Sequence, residues 1–133
     1  MRFLLFAWVL LLAACARDET IYAYGGGGGN WQVQSLNGTE FAATASLQFG
    51  PKGEVTGQGP CNRFSTLQTV PYPWIDFGPV VVTRMACPDL GSEQEFLRVL
   101  ERITIGIVTG DTLTLSNDEG DEMVLTRFPP RDG

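Results

Sequence analysis

Two of the three cysteines lie in dense local motifs, and this pair constrains the fold more than any other feature of the chain. Cys61 begins the run C-N-R-F at residues 61–64, and Cys87 ends the run T-R-M-A-C at residues 83–87. A bond between the two sulfur atoms would hold these runs together in any fold. The thiols could instead stay free or share a metal ion, so the outcome depends on the compartment in which the chain folds.

The N-terminus has the order of a secretory signal peptide. Met1 and Arg2 supply a positive start, residues 3–12 are almost wholly apolar, and two small residues follow. The apolar run is too short to cross a bilayer comfortably. We therefore predict a signal peptide over residues 1–14.

The sequence Leu12-Ala13-Ala14-Cys15 resembles the lipobox of bacterial lipoproteins. In that class the leader is cut before the cysteine, which then carries acyl groups on its sulfur and on its new amino group. Several buried acyl chains anchor a protein far more firmly than one. We expect lipidation of Cys15, and Ala16 in place of aspartate favours the outer membrane by resemblance to enterobacterial sorting. The alternative is a secreted protein that is cut near Ala14, with Cys15 incidental.

A run of glycines at residues 25–29 precedes the domain. It lacks the Lys-Ser/Thr pair and the following helix of a phosphate-binding loop. We interpret it as a flexible spacer. The predicted organisation is a signal peptide over residues 1–14, a lipidated cysteine and glycine-rich tether over 15–30, one domain over 31–128 and a tail over 129–133.

Cys61 and Cys87 form an even set once Cys15 carries lipid in an oxidising envelope compartment. We expect a disulfide between them, worth about 3.5 kcal/mol in the chain-entropy model for a loop of this length. Free buried thiols and a metal pair are the alternatives, although two cysteines without histidine make a weak zinc site.

Charge and composition exclude several classes of function. The net charge is −6, Lys52 is the single lysine and no basic stripe is present, which argues against nucleic acid as a partner. Histidine is absent, which removes the usual general base, the usual zinc ligand and the usual nucleophile pairs. Chemistry that uses carboxylates alone stays possible, but it needs two acids brought together, which the spacing does not show. We predict a protein that is not an enzyme, with no catalytic residues, no cofactor and no metal.

Short alternating or β-branched runs, separated by Gly, Pro and Asn, indicate strands. They lie at residues 31–36, 45–49, 54–56, 63–70, 74–77, 80–83, 105–108, 112–115 and 123–128, among which we count seven or eight strands. The aromatic residues expected in the core are Trp31, Phe49, Phe64, Trp74, Phe77 and Phe96. In the first run Leu36 is one step out of phase with Trp31 and Val33, and Asn37-Gly38 predicts a turn.

One amphipathic segment predicts a helix. Ser92 and Glu95 match an S-x-x-E capping box, and Phe96, Leu100 and Ile103 fall on one face. Strands that follow one another without intervening helices favour an antiparallel sheet. We predict a mostly β fold of the α+β class, with a single antiparallel curled sheet or partly open β-barrel and one α-helix packed on it.

The two cysteine motifs together resemble those of META domain (heat-shock protein HslJ-like) proteins. The resemblance is carried by Thr56, Gly57, Cys61, Asn62, Arg63, Phe64, Thr83, Arg84, Met85, Ala86, Cys87 and the final run at residues 125–128. It covers residues 31–128. Pro60 stands where the family usually has glycine, and Thr66 and Gln68 stand where a glycine and a tyrosine are common.

The resemblance implies a mostly antiparallel β fold with a helix, similar to the cracked barrel of secretin pilot lipoproteins. Members are often envelope lipoproteins, and some are linked to heat shock, novobiocin resistance, or secretion and motility. No catalytic residues are established for the family, so none is transferred. We expect a lipid-anchored, non-enzymatic accessory protein of the cell envelope that binds a protein partner or supports stress and antibiotic tolerance. The alternative is a carrier of an apolar ligand or lipid tail in a cracked β-barrel.

Polar residues near the cysteines have both a functional and a structural interpretation. Arg63 and Arg84 could clamp an anion, but we expect them to pair with acids such as Asp76 or Asp89. We expect Asn62 to bond the backbone at a turn. A hydrolase that uses Asp76 and Asp89 as paired carboxylates is a third hypothesis, and a surface charge with a turn residue is the simpler explanation.

Overall fold

The computed structural model describes residues 17–130, which begin with a 3-10 turn over Ile21–Tyr24. The strands are β1 (Asn30–Leu36), β2 (Thr39–Glu40), β3 (Ser46–Phe49), β4 (Glu54–Gln58), β5 (Arg63–Leu67), β6 (Val81–Val82), β7 (Ile105–Thr109), β8 (Thr112–Ser116) and β9 (Glu122–Phe128). One helix, α1 (Leu90–Arg102), lies between β6 and β7 in the chain. The predicted signal peptide and Cys15 lie outside the described residues.

The strands form one sheet in the order β6-β5-β4-β3-β1-β9-β8-β7, with β2 paired to β1. Each of these pairings is antiparallel. The sheet does not close on itself, because β6 and β7 are its two edges. The predicted fold class is therefore confirmed as an open, antiparallel sheet with a helix packed on it, and the described residues form nine strands rather than seven or eight.

The first strand explains the change of phase in its apolar pattern. A β-bulge lies between Val33 and Ser35, so that Trp31, Val33 and Leu36 are all buried. The chain then turns at Asn37, whose φ of 49° precedes a glycine with φ of 79°. These positive φ values are those of a tight hairpin turn, as the sequence predicts.

Side chains of the sheet and of α1 fill the space between them. Those with no exposed surface include Trp31, Leu47, Phe96, Leu100, Leu113, Leu115, Met123 and Leu125. The rings of Phe64 and Phe96 pack with their centroids 5.6 Å apart. The interior is therefore a packed hydrophobic core, and no helix within residues 17–130 has the length and apolarity needed to cross a bilayer.

The strand predicted at residues 74–77 is not present. Trp74 forms a single bridge to Ile105, and the N–H of Ile75 donates to the carbonyl of Thr104 at 2.9 Å, so this segment covers the edge of β7. The prolines around it remove backbone donors and prevent a regular ladder. Trp74 is 57% exposed, so its predicted place in the core is wrong.

The helix begins earlier than predicted. Its first residue is Leu90, and Asp89 at the N-cap position makes no side-chain capping bond, so Ser92 does not start a capping box. The N–H of Leu90 instead donates to the carbonyl of Cys87, which places the start of the helix directly after the second cysteine motif. The predicted apolar face is confirmed by the burial of Phe96, Leu100 and Ile103.

The glycine run is packed into the domain, so its interpretation as a flexible spacer is wrong. The N–H groups of Gly26 and Gly27 donate to the carbonyls of Ile21 and Tyr22 at 2.8 Å and 3.1 Å. A Cβ on Gly26 would lie 2.6 Å from the Ile21 carbonyl oxygen, so a larger residue does not fit there. Glycine is required here for close backbone packing rather than for flexibility.

Arg127 of β9 holds the glycine run from the other side. Its guanidinium lies 4.3 Å from the centre of the Trp31 ring and donates to the carbonyls of Gly27, at 3.0 Å, and Gly25. The indole nitrogen of Trp31 donates to the carbonyl of Gly26 at 2.8 Å. The packed domain therefore begins before the glycines and not after them.

Candidate functional site

Glu93 of α1 is 2% exposed and joins the helix to the first cysteine motif. Its Oε1 accepts hydrogen bonds from the backbone N–H groups of Cys61, at 3.1 Å, and Asn62, at 2.6 Å. Its Oε2 accepts a bond from Asn62 Nδ2 at 2.6 Å. A Cβ on Gly59 would lie 2.5 Å from Glu93 Oε1, so the glycine before this motif leaves room for the Glu93 side chain.

Asn62 holds the second cysteine motif as well. Its Oδ1 accepts bonds from the N–H of Met85, at 2.6 Å, and from the hydroxyl of Thr83, at 3.0 Å. Its Nδ2 donates to the carbonyl of Met85 at 3.1 Å. Asn62 therefore bonds backbone groups, as we expected, but those of a segment that is distant along the chain rather than those of its own turn.

The predicted disulfide between Cys61 and Cys87 is present, with Cα atoms 5.9 Å apart. It joins Cys61, two residues before β5, to the residue that ends the second motif. Residues 83–86, which form neither helix nor strand, are thus held by Asn62 in their middle and by the disulfide at their end. We call residues 83–86 the pinned segment.

The side chains of the pinned segment are exposed. Met85 is 63% exposed, and Thr83, Arg84 and Ala86 are also exposed. The family motifs therefore divide into two groups, because Asn62 and Phe64 are buried inside the fold whereas the pinned segment presents its side chains to solvent. Burial explains the first group, but packing does not explain why an exposed segment is held so firmly.

The ion pairs that we expected for Arg63 and Arg84 are not formed. The salt bridges found within residues 17–130 are Arg102–Glu119, Arg102–Asp121 and Arg127–Asp111. Both Arg63 and Arg84 are exposed, and neither lies within 4.0 Å of Asp76 or Asp89. Their positive charges therefore face solvent, that of Arg84 within the pinned segment and that of Arg63 beside it.

A groove of about 550 Å³ lies between the pinned segment and α1. Its apolar lining is formed by Val80, Val82, Met85, Leu90 and Leu97. Glu93 is the single acidic residue of the lining, and both of its oxygens accept hydrogen bonds. The groove therefore lacks the second carboxyl group that paired-carboxylate hydrolysis requires.

The short strand β6 leaves one backbone edge open beside this groove. The N–H of Thr83 donates to the carbonyl of Arg63 at 3.0 Å, so the backbone N–H of Thr83 points toward β5. Bonded and non-bonded residues alternate in an antiparallel pair, which directs the N–H and C=O of Val82 away from β5. No strand covers that side, since β6 is an edge of the sheet.

The META domain family model matches residues 26–129. The chain belongs to the META domain family. The family resemblance of the two cysteine motifs is therefore confirmed, and the matched range starts within the glycine run. This start agrees with the packing of these glycines into the META domain.

Two solved structures resemble this META domain. An NMR structure of a protein from Burkholderia xenovorans is 21% identical with a TM-score of 0.62, and the match covers 87% of this chain and 94% of that one. A second NMR structure is 21% identical with a TM-score of 0.58, over 74% of this chain and 88% of that one. At this identity they support the fold alone. No curated protein matches the chain.

Glu93 and Arg127 are two buried charged residues whose roles sequence reasoning missed. Glu93 lies three residues before Phe96, on the helical face that Phe96 and Leu100 bury. Arg127 continues the inward alternation of Met123 and Leu125 in β9. The sequence signal that could have identified them is a charged residue at a position where the helical or strand pattern predicts a buried apolar one. Within residues 17–130 no three metal-ligating side chains lie close enough together to hold an ion.

Proposed function

We propose that this META domain protein is a lipid-anchored, non-enzymatic accessory protein of the cell envelope that binds a protein partner at the pinned segment and its groove. The observation that supports the proposal is the firm attachment of an exposed, irregular segment by Asn62 and the disulfide. Ordering a segment costs conformational entropy. Because that cost is met in the free protein, a partner that contacts Met85 and Arg84 would lose less free energy on binding.

The chemistry of the groove favours an extended apolar segment of the partner. The outward N–H and C=O of Val82 can continue the ladder of hydrogen bonds, and Leu90 and Leu97 offer an apolar wall to alternate side chains. The exposed charges of Arg63 and Arg84 favour acidic residues next to that segment. The proposed partner therefore adds a strand to β6.

The anchor and the compartment are supported by the sequence and by the disulfide. The leader and Cys15 match the order of a lipoprotein signal. Disulfides persist in oxidising compartments such as the bacterial periplasm, and Cys61–Cys87 is consistent with that location. The tolerance of stress or antibiotics implied by the family resemblance would follow from the partner that is bound.

The carrier function has less support than partner binding. A carrier needs an internal cavity that holds an acyl chain or another apolar ligand. The space between the sheet and α1 is instead occupied by side chains such as Trp31, Leu100 and Met123, which have no exposed surface. The groove beside the pinned segment is a surface feature that suits a peptide better than a lipid tail.

Site-specific photocrosslinking in living cells tests the proposal. A photoreactive residue replaces Met85 in one variant and Phe128 in a matched variant, since these two side chains are 63% and 66% exposed. We expect a discrete adduct with one envelope protein from position 85 and not from position 128. The same adducts from both positions, or none from position 85, would contradict the proposal. The mass of the membrane-extracted protein, with and without Cys15→Ser, tests the anchor separately.

A further inference from the structure

The chain becomes part of the folded domain only three residues after Cys15, the proposed lipidation site. The carboxyl group of Asp18 accepts bonds from the N–H and hydroxyl of Thr20, at 2.9 Å and 2.5 Å, and from the N–H of Lys52 at 3.2 Å. The carbonyl of Glu19 accepts a bond from the N–H of Tyr72 at 2.7 Å. Residues 18–20 are therefore part of the folded body.

This attachment limits the distance between the anchor and the domain. Three Cα–Cα steps of 3.8 Å separate Cys15 from Asp18, so their Cα atoms lie within about 11 Å of each other in any conformation. That reach is close to the diameter of one helix. A domain so close to its acyl chains has no room for a partner between itself and the bilayer.

The surface around Asp18 has the chemistry of a membrane interface. Tyr24 is 54% exposed and stacks on Tyr72, with ring centroids 5.0 Å apart, and the exposed Trp74 follows two residues later. Tyrosine and tryptophan are enriched where proteins meet lipid headgroups. The exposed cations Arg17 and Lys52 line the same surface pocket as Asp18, where they can contact anionic headgroups.

We propose that the face formed by residues 17–19, Lys52, Tyr24, Tyr72 and Trp74 lies against the lipid bilayer and holds the domain in one orientation. This inference rests on the proposed lipidation of Cys15. The negative charges of Asp18 and of the exposed Glu19 offset those of Arg17 and Lys52, so the contact depends on the acyl anchor and the aromatic side chains rather than on net charge.

The orientation directs the pinned segment away from the membrane. The N–H of Gln68 donates to the carbonyl of Gly53, beside Lys52, whereas Arg63 at the opposite end of β5 pairs with Thr83. Five residues of extended strand separate these two ends, a distance of about 17 Å. A partner at the pinned segment would therefore meet the side of the domain that faces the compartment.

Energy transfer from the single lysine to the bilayer tests the orientation. Acylated full-length protein is extracted from membranes, labelled on Lys52 with an amine-reactive donor, and placed in vesicles of phosphatidylethanolamine and phosphatidylglycerol that carry a headgroup acceptor. The matched variant combines Lys52→Arg with Met85→Lys, which moves the label to the pinned segment. We expect clearly stronger transfer from position 52 than from position 85. A short Gly-Ser insertion after Ala16 is expected to make the two values converge.

The outcomes separate the orientation from the anchor. Equal transfer from both positions, in protein whose mass carries the acyl groups, would overturn the orientation and leave the proposed anchor intact. A mass without acyl groups, together with loss of vesicle binding, would overturn both.

Discussion

Glu93 and Asn62 are joined by two hydrogen bonds of 2.6 Å, one from the backbone N–H and one from the side-chain amide of the asparagine. The same asparagine bonds both backbone groups of Met85. A single buried pair therefore connects α1, the start of β5 and the pinned segment. The exposed side chains of that segment take their position from a polar contact inside the fold.

Replacement of Glu93 by glutamine is expected to destabilise the domain. Glu93 accepts hydrogen bonds from the backbone N–H groups at residues 61 and 62 and from the side-chain amide of Asn62. The NH2 group of a glutamine at position 93 would face one of these donors and could not accept its bond. A buried donor left without an acceptor costs about 1–3 kcal/mol. Urea unfolding measures the loss in Glu93→Gln, and Glu95→Gln on the exposed face of α1 serves as the control, with a change below about 0.5 kcal/mol. Equal midpoints for the two variants would contradict the role of Glu93.

Removal of the disulfide is expected to lower the free energy of unfolding. The bond closes a loop with a sequence separation of 26 residues, for which the chain-entropy model gives about 3.5 kcal/mol. Unfolding of the Cys61→Ser, Cys87→Ser double variant, compared with the parent protein with and without reductant, measures the effect. If reductant leaves the parent unchanged, the bond does not form in solution.

Alanine at Gly26 is expected to release the glycine run from the domain. The new Cβ would lie 2.6 Å from the Ile21 carbonyl oxygen, so the backbone bonded to Trp31 must shift. We expect a loss of about 1–3 kcal/mol, as for other strained small-to-large changes. Gly91→Ala in α1 is the matched control, because a Cβ there meets no atom within 4 Å, and a small gain in stability is expected. A flexible spacer would tolerate both changes equally.

Acid is expected to loosen residues 17–20 before it unfolds the sheet. The hydrogen bond from the Thr20 hydroxyl holds the pKa of Asp18 below its ordinary value, with help from the N–H groups of Thr20 and Lys52. Because the pKa of Asp18 is lower in the folded protein than in the unfolded chain, its hydrogen bonds stabilise the fold above the ordinary carboxyl pKa, near pH 4. This stabilisation is lost as the pH falls through the pKa of the folded state. The protection factors of the Thr20 and Lys52 amides, which correct for the intrinsic pH dependence of exchange, should fall in this window. In Asp18→Asn the protection factors should be lower throughout and no longer change there.

The sequence predicts the class of this fold better than its details. Alternation and turn residues identify most strands, and the positive φ of Asn37 appears where the Asn-Gly pair predicts it. The prediction of a strand at residues 74–77 is wrong because this segment is an irregular loop whose apolar residues cover the edge of β7. The pattern of apolar residues alone does not distinguish such a loop from a strand. The glycine run misleads because composition indicates flexibility, whereas the carbonyls of the run bind Arg127, a residue about a hundred positions away.

The candidate site is only partly visible in the sequence for the same reason. The cysteine pair follows from counting thiols and from the compartment. The bond between Asn62 and Glu93 depends on tertiary contact, because Asn62, which directly precedes β5, and Glu93 in α1 are brought together by the fold. Single acids in apolar helical faces are therefore the feature to examine in similar sequences.

The amide hydrogen exchange of Met85 tests the central claim most directly. Its side chain is exposed and its segment is irregular, yet its N–H donates to buried Asn62 Oδ1 at 2.6 Å. The account predicts that this amide exchanges far more slowly than that of an open loop and loses its protection in Asn62→Ala, while β8 and β9 remain protected. Exchange at the rate of an unstructured peptide in the unmodified protein would contradict the existence of a pinned segment.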